Sequence, residues 1–328
     1  APRLVVGEKR RSERLAAVLH QVQDGAGAAG TVLMLPLSYC FAFVNQWLWA
    51  RVHGRELIQT AGLRQVDRTA AALETAQDAL LCLVGPQIPL LLESLPGRSF
   101  PGVIRLHFAG GPFPQEHLDQ VQVLFPRARI FNNYGCAEAM PRLTVRPLED
   151  SAEARNVGRP VPGIEMKAGE HGEILFRSPY AAVALYDGDA MTRLGPEDWI
   201  PSGDLGQELP DGSWQLGGRT NEVFKRFGEK ISLPQLLRTV HEAWPGQAAF
   251  FRAADQAGEP GHVLVLSPTP DDRQLRQVLR GFRKNHPRTH WPLRVESSPA
   301  LLVLPNGKVD AKGLGAMQGK TVHWRQRL

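Results

Sequence analysis

The sequence has few cysteines and no long apolar run, and both absences limit what the protein can be. Only three of its 328 residues are cysteine. They lie far apart without a C-x-x-C pair, so they indicate neither a disulfide framework nor a thiolate metal site. The most apolar run, residues 81–92, is broken by glycine and proline and is shorter than the ~18 residues of a membrane-spanning helix. The opening residues lack the apolar core of a secretory signal. We therefore expect a cytoplasmic protein without a membrane span.

The composition is that of a globular protein with an uneven charge. Hydrophobic residues make up 43% and charged residues 22% of the chain, which excludes disorder. The net charge of +5 belongs to the C-terminal third, because residues 222–328 contain 17 Lys and Arg against 9 Asp and Glu, a net of +8. Five basic residues there fall on one predicted helix face: Arg273, Arg276, Arg280, Arg283 and Lys284. This face alone would suggest nucleic-acid binding, which we disfavour; the remaining interpretations are a face that attracts another polyanionic partner and a face that is simply hydrated.

Hydrophobic periodicity divides the chain into three regions. Helical and apolar segments alternate from residue 8 to about residue 155, which predicts an α/β fold with a mostly parallel, helix-covered sheet. Short strands and turns follow over 156–220 and predict a small antiparallel β unit. Mixed helices and strands over 221–328 predict a separate α+β domain. The domain prediction is thus 1–220, with subdomains 1–155 and 156–220, and 221–328.

Four segments carry the chemistry: HFAGGPFP (107–114), IFNNYGCAEAMPR (130–142), the stretch 200–237 with PSGDLG and GGRTNE, and LPNGKVDAKGL (304–314). Each alone is explicable as a turn. Together they resemble the adenylate-forming superfamily of acyl-CoA synthetases, acyl and aryl acid ligases and adenylation domains, from Ala1 to about Leu314. The resemblance implies that ATP and a carboxylic acid give an acyl-adenylate, and that a thiol of CoA or of a phosphopantetheine carrier protein then takes the acyl group.

The residue types in these segments suit a nucleotide. Asn133, Tyr134 and Gly135 can place a flat ring and bare backbone against a purine. A carboxylate at Asp204 can accept hydrogen bonds from both ribose hydroxyls, and Arg219 supplies a guanidinium for ribose or phosphate oxygens. The opposite face of the purine would be covered by a second turn, formed by Gly110, Gly111 and Pro112.

The resemblance also implies catalytic and mobile residues. Glu138 would hold Mg²⁺, a hard cation that prefers oxygen ligands, and Lys308 would bridge the substrate carboxylate and the α-phosphate. The alternatives are a surface glutamate and an exposed turn lysine. Asn221 falls at the interdomain hinge of a mobile C-terminal lid, and Gly228 lies in the loop that turns toward the pantetheine tunnel.

Residues 35–50 resemble the stretch that lines the acyl pocket. Amino-acid-activating relatives carry an aspartate there, whereas this stretch contains no acidic residue, so a free amino acid is disfavoured. Tyr39, Phe41 and Phe43 suit an aromatic or otherwise apolar acid, although such aromatics also occur as plain core.

Two departures from the family leave the activity of this chain open. The opening residues resemble only the tail of the phosphate loop, with Arg3 in the usual lysine position, and the first subdomain is missing. Ala137 stands where the family has a threonine. We therefore expect an AMP-forming acid–thiol ligase, present as part of a longer enzyme or as one half that needs a complementary N-terminal chain or oligomer. The alternative is a non-catalytic remnant that binds adenylate or a partner.

Overall fold

The structure is a computed structural model that describes residues 4–85, 87–111, 113–151, 153, 155–188, 190–303 and 309–326. The chain divides into two compact units, Ala1–Gly217 and Gly218–Leu328. No helix in the described ranges combines the length and the apolar character needed to cross a membrane.

The first unit contains helices and strands in alternation, followed by strands alone. Its helices are α1 (Lys9–Val22), α2 (Cys40–Ala42), α3 (Trp49–His53), α4 (Val66–Thr75), α5 (Gln87–Ser94) and α6 (Leu118–Leu124). Its strands are β1 (Leu4–Val6), β2 (Gly30–Leu33), β3 (Glu56–Gln59), β4 (Ala79–Val84), β5 (Val103–Ala109), β6 (Arg129–Tyr134), β7 (Thr144–Pro147), β8 (Asn156–Pro160), β9 (Glu165–Ala168), β10 (Glu173–Arg177), β11 (Ala184–Asp187), β12 (Ala190–Arg193), β13 (Ile200–Glu208) and β14 (Trp214–Arg219), the last of which runs into the second unit.

One large mixed sheet organises this unit, in the order β3-β2-β4-β5-β6-β7-β8-β14-β13-β10-β9. The strands from β3 to β6 are parallel, and from β7 onward neighbouring strands with a described register are antiparallel. A smaller antiparallel sheet has the order β1-β11-β12. The predicted α/β fold class is confirmed. The antiparallel strands continue the parallel strands within the same hydrogen-bonded sheet.

Helices cover both faces of the parallel strands because alternate residues of each strand point to opposite sides. Leu81, Leu83 and Phe108 pack with residues of α4, α5 and α6 on one face. On the other face, Leu80 and Cys82 pack with residues of α2 and α3. A π-helical turn over Phe43–Leu48 joins α2 to α3.

Helix α5 was not predicted, because the apolar run that contains it also carries prolines. Pro89 is the third residue of α5, and the first turn is where a helix tolerates proline, since no intrahelical acceptor is available there for its missing N–H. The apolar run TVLMLPL (31–37) predicts a buried strand, and the strand observed there, β2, ends at Leu33.

The second unit is a four-stranded sheet with helices on both faces and a separate hairpin. Its strands are β15 (Val223–Arg226), β16 (Glu229–Ser232), β17 (Gln247–Ala254), β18 (Pro260–Ser267), β19 (Arg294–Ser297) and β20 (Thr321–Arg325), and its helices are α7 (Leu233–His241), α8 (Asp272–Asn285) and α9 (Ala311–Ala316). Helices α7 and α8 pack on Phe250, Leu264 and Leu266, while α9 lies on the face that carries Phe251 and Val265.

Candidate nucleotide and acid site

Two of the predicted nucleotide turns in the first unit lie where parallel strands end. Gly110 and Gly111 follow β5, and Gly135 follows β6, the parallel neighbour of β5. Crevices at the carboxyl ends of parallel strands are the usual ligand sites of such sheets. Gly110 has φ +89°, which favours glycine, and a Cβ on Gly111 would meet nothing within 4 Å. The backbone of this turn is therefore open to close approach by a ligand.

A buried hydrogen bond joins two of the sequence motifs. The Tyr134 hydroxyl, at the end of β6, donates to Asp204 Oδ2 on β13 over 3.0 Å. Tyr134 is 7% and Asp204 6% exposed. Burial, and then the Asp204 carboxylate, raise the pKa of Tyr134 well above its usual value, so the phenol stays protonated and remains a donor. The bond brings together the purine and ribose residues that the sequence predicted separately.

The Asn133 side chain is buried and forms hydrogen bonds with other residues of the protein interior. Its oxygen accepts a hydrogen bond at 2.6 Å from Nε2 of Gln23, the residue directly after α1, and its Nδ2 donates to the Phe131 carbonyl at 3.1 Å. With 3% of its surface exposed, the amide anchors the end of β6 against α1. Its contribution to a nucleotide site is therefore to hold Tyr134 and the following turn in place.

The turn after β6 is tightly built. A Cβ on Gly135 would lie 1.9 Å from the Pro141 carbonyl oxygen, so only glycine fits there. Glu138 is half-buried in a short 3-10 turn, and Ala137 before it is exposed. Cys136 lies against this turn, and burial followed by the Glu138 carboxylate raises its pKa. The turn thus fixes one carboxylate at the edge of the sheet.

The donor set fits a magnesium ion held mainly by a nucleotide. The described ranges contain no group of three or more His, Cys, Asp or Glu side chains placed to hold a metal. Magnesium in phosphate-transfer sites is commonly held by one or two carboxylates together with substrate phosphates and water. The single carboxylate of Glu138 meets that requirement.

The three predicted pocket aromatics are half-buried and fall into two groups. Tyr39 and Phe41 pack against the cluster that contains Leu80 and Cys82. Phe43 packs with Trp47, with ring centroids 5.1 Å apart and nearly parallel planes. The structure therefore brings Tyr39 and Phe41 to one apolar cluster and places Phe43 in another.

Sequence analysis missed Arg142, although it is the last residue of the quoted motif. Arg142 is 1% exposed, and its guanidinium carbon lies 5.3 Å from the centroid of the Phe41 ring. Its Nη2 donates to Asn45 Oδ1 over 2.8 Å, and Asn45 Nδ2 in turn donates to the Phe41 carbonyl. A charged residue between apolar neighbours in the segment MPRL was the available signal.

The second unit carries the remaining described site residues. Arg219 is exposed at the end of β14, and its backbone N–H donates to Glu222 Oε2 at 3.2 Å. Asn221 follows in a short 3-10 turn. Gly228 and Phe227 form the two-residue loop of the β15–β16 hairpin, both with positive φ, as a type I′ turn requires. The positive φ of this turn therefore accounts for the glycine at position 228.

The hairpin is anchored at its base by buried charge. Arg226 Nη2 lies 3.0 Å from Asp255 Oδ2, with both side chains almost fully buried, and Arg226 Nη1 donates to the Pro260 carbonyl. Phe227 at the tip is 58% exposed. The hairpin therefore presents an exposed aromatic ring on a fixed base.

The basic face predicted on α8 is present. Its five Arg and Lys side chains are exposed, while Val278, Leu279 and Phe282 are buried on the other side. Two predicted site residues, Pro112 and Lys308, lie outside the described residues, as does Arg3.

Comparison with known proteins gives the family. The model of the family described as AMP-binding enzyme matches residues 10–185. A 2-hydroxy-7-methoxy-5-methyl-1-naphthoate–CoA ligase of Streptomyces carzinostaticus is 29% identical over 208 residues, which are 58% of this chain and 37% of that protein. Tyrocidine synthase 3 of Brevibacillus parabrevis is 25% identical over 314 residues, 88% of this chain and 5% of that protein.

A solved structure shows the same fold. The O-succinylbenzoate coenzyme A synthetase of Bacillus subtilis, in complex with AMP, superposes with a TM-score of 0.77 at 17% identity, covering 94% of this chain and 65% of that one. The chain thus spans less than two thirds of each of these relatives. Because the family model covers more than half of the chain, this chain belongs to the AMP-binding enzyme family.

Proposed function

We propose that this protein is an AMP-forming ligase, which activates a carboxylic acid as its acyl-adenylate and then transfers the acyl group to a thiol. The observation that carries the proposal is the buried hydrogen bond from Tyr134 to Asp204. It joins the NNYG motif at the end of β6 to the SGD motif within β13. A ring for the purine and a carboxylate for the ribose hydroxyls are thereby held together.

The adenosine half of the nucleotide is bound by residues of the first unit. The open turn at Gly110 and Gly111 lies against one side of the purine, and Tyr134 lies against the other. Asp204 accepts hydrogen bonds from the ribose hydroxyls, because a carboxylate offers several acceptor sites. Arg219 of the second unit supplies a guanidinium for ribose or phosphate oxygens.

Charge at phosphorus is offset by two groups. Glu138 would hold Mg²⁺, which neutralises phosphate charge when ATP is bound. Lys308 binds the carboxylate of the acid and the α-phosphate, so the negative charge that grows as the carboxylate attacks is stabilised. Rotation of the second unit about Asn221 would then bring the loop with Gly228 to the acyl-adenylate for the thiol step, a gating motion of the kind that lids perform.

The acid is aromatic or apolar and is not an amino acid. Residues 35–50 carry no carboxylate to pair with an α-ammonium group, and Tyr39 and Phe41 line an apolar cluster. A relative named for a naphthoate and a structural neighbour named for O-succinylbenzoate support an aromatic acid. The acceptor is CoA or a phosphopantetheine carrier protein; the name of the naphthoate ligase supports CoA.

Acid-dependent pyrophosphate release tests the proposal. The protein at its full natural length is incubated with ATP, Mg²⁺ and a panel of benzoates, fatty acids and amino acids, with hydroxylamine to trap the acyl-adenylate. Release with an aromatic acid, and none with amino acids, is the expected result. CoA and a pantetheinylated carrier protein are then compared as acceptors.

The alternative is a chain that binds adenylate or a partner chain without catalysis. Ala137 favours it, because an exposed methyl group replaces a hydroxyl that could donate to the α-phosphate, a hydrogen bond worth about 1.5–3 kcal/mol. Binding of AMP without pyrophosphate release from any acid, alone or after addition of a complementary N-terminal chain, would establish this alternative.

A further inference from the structure

Arg142 is a buried cation without a counter-ion among the residues that the structure describes. Its guanidinium has five N–H donors, and within the described ranges it makes one hydrogen bond, to Asn45, and no ion pair. Its Nε is fully buried and has no hydrogen-bond partner. An unpaired buried charge is costly. A buried charge that the described protein leaves unpaired is suited to an anionic ligand.

The surroundings of Arg142 are neutral. Burial lowers its pKa to about 9, and the titratable groups that act on it, Cys82 and Cys40, are thiols. His107 is fully buried with both ring nitrogens unpartnered, and burial lowers its pKa to about 3, so it is uncharged near pH 7. The other cation that acts on His107 is Arg105, which pairs with Asp24. Arg142 has no such counter-ion among the described residues, and it stands beside the aromatic ring of Phe41.

Arg142 acts on groups that lie away from the predicted nucleotide turn. The guanidinium acts electrostatically on Cys82 and His107, which are paired in register on neighbouring strands. His107 lies three residues before Gly110, which is about 10 Å along a strand. In the proposed function the nucleotide binds at the Gly110 turn and the acyl group packs on Phe41, the ring beside Arg142. An acyl group that reaches Phe41 from that turn would therefore place its distal end near the guanidinium.

We propose that Arg142 binds a second carboxylate of the substrate, so that the acid activated by this protein is an aromatic or apolar dicarboxylic acid. The inference rests on the proposed function for the identity of the pocket. The second carboxylate stays ionised and accepts hydrogen bonds from the free edge of the guanidinium, and the Phe41 ring packs against the hydrocarbon between the two acid groups. Asn45 positions the guanidinium through the bond to Nη2.

Binding without ATP tests this inference independently of catalysis. Benzoate, phthalate, isophthalate and terephthalate are titrated into the full-length protein by calorimetry. At least one dicarboxylate should bind tenfold or more tightly than benzoate. In Arg142→Met that preference should disappear, and in Arg142→Lys, which keeps the charge but loses the planar fork, it should be partly retained.

Asn45→Asp is the most informative variant, because it replaces the amide that contacts Arg142 by a carboxylate of nearly the same shape. It should raise the melting temperature of the free protein and abolish the preference for dicarboxylates. Arg146→Met is the matched control: Arg146 is also buried, but it pairs in register with Asn132, on the sheet face opposite His107. It should leave the order of acid affinities unchanged.

The inference is overturned if no dicarboxylate binds more tightly than benzoate, or if the preference survives in both Arg142→Met and Asn45→Asp. Pyrophosphate release that is as fast with benzoate as with every dicarboxylate, in the wild type and in Arg142→Met alike, would overturn it while leaving the proposed ligase function standing. Dicarboxylate binding that depends on Arg142, without pyrophosphate release, would support the anion site and reject the ligase.

Discussion

Replacing Tyr134 by phenylalanine tests the contact on which the nucleotide site depends. The substitution removes one hydroxyl and keeps the ring, so the 3.0 Å hydrogen bond to Asp204 is lost without a large cavity. A hydrogen bond to a charged group contributes about 1.5–3 kcal/mol. Since 1 kcal/mol shifts the melting temperature of a 150–250-residue domain by about 2–4 °C, the first unit should melt about 3–12 °C lower.

The same variant should weaken AMP binding, because Asp204 loses the donor that orients its carboxylate toward the ribose. A tenfold rise in the dissociation constant corresponds to 1.4 kcal/mol and is the effect we expect at minimum. Asp204→Asn, which removes the charged acceptor itself, should weaken AMP at least as much. Calorimetric titration of AMP and a thermal melt of each variant provide the two measurements.

Tyr180→Phe is the matched control. Tyr180 is buried in the same core cluster as Tyr134, and its hydroxyl donates to the Pro162 carbonyl at 2.9 Å. Its loss should cost about 0.5–1.5 kcal/mol of stability and leave AMP affinity unchanged. If Tyr134→Phe and Tyr180→Phe lower the melting temperature equally, and neither changes AMP binding, then Tyr134 is a core residue and the nucleotide assignment of this edge is wrong.

Three further predictions concern the second unit. Lys308→Ala should slow pyrophosphate exchange by about 10²-fold or more while transfer from preformed acyl-adenylate persists; undiminished exchange would show that another lysine acts. Arg276→Glu with Arg280→Glu should raise the KM for the thiol acceptor most strongly at low salt, whereas Arg64→Glu with Arg68→Glu in the first unit should not. Burial lowers the pKa of His262 to about 3 from the ordinary histidine value of about 6.5, so the unfolded chain binds the extra proton below pH 6.5. Stability should therefore fall there by up to about 1.4 kcal/mol per pH unit, and urea unfolding of His262→Phe between pH 7 and 5 should show a shallower decline.

The alternation of helices and apolar strands was readable from the sequence because both periodicities are local. A buried parallel strand such as 80–84 is a continuous apolar run, and the helices that cover it carry an apolar residue every three or four positions. Sheet order is not local. Strands β7 and β8 continue the parallel sheet as antiparallel strands because of the neighbours with which they pair. The hydrophobic pattern within either strand does not predict which strand its neighbour will be.

The motifs of the site were readable for a related reason, since turn glycines and their polar neighbours are contiguous in the chain. The different contacts that neighbouring motif residues make could not be predicted in this way. Asn133 and Tyr134 are adjacent, but successive strand residues face opposite sides, so the Asn133 amide meets Gln23 in the interior while the Tyr134 hydroxyl reaches Asp204, 70 residues away.

Arg142 shows why buried polar residues carry information that a motif does not. In the sequence it is one arginine among many, and arginines are mostly exposed. Only the fold brings it to Asn45, 97 residues earlier in the chain, and to the ring of Phe41. A buried charge that the described protein leaves unpaired lowers the stability of the free protein. A ligand that pairs with this charge regains that free energy on binding. The cost to the free protein and the selectivity for a dicarboxylic acid are two consequences of the same guanidinium, and for that reason Asn45→Asp should reverse both at once.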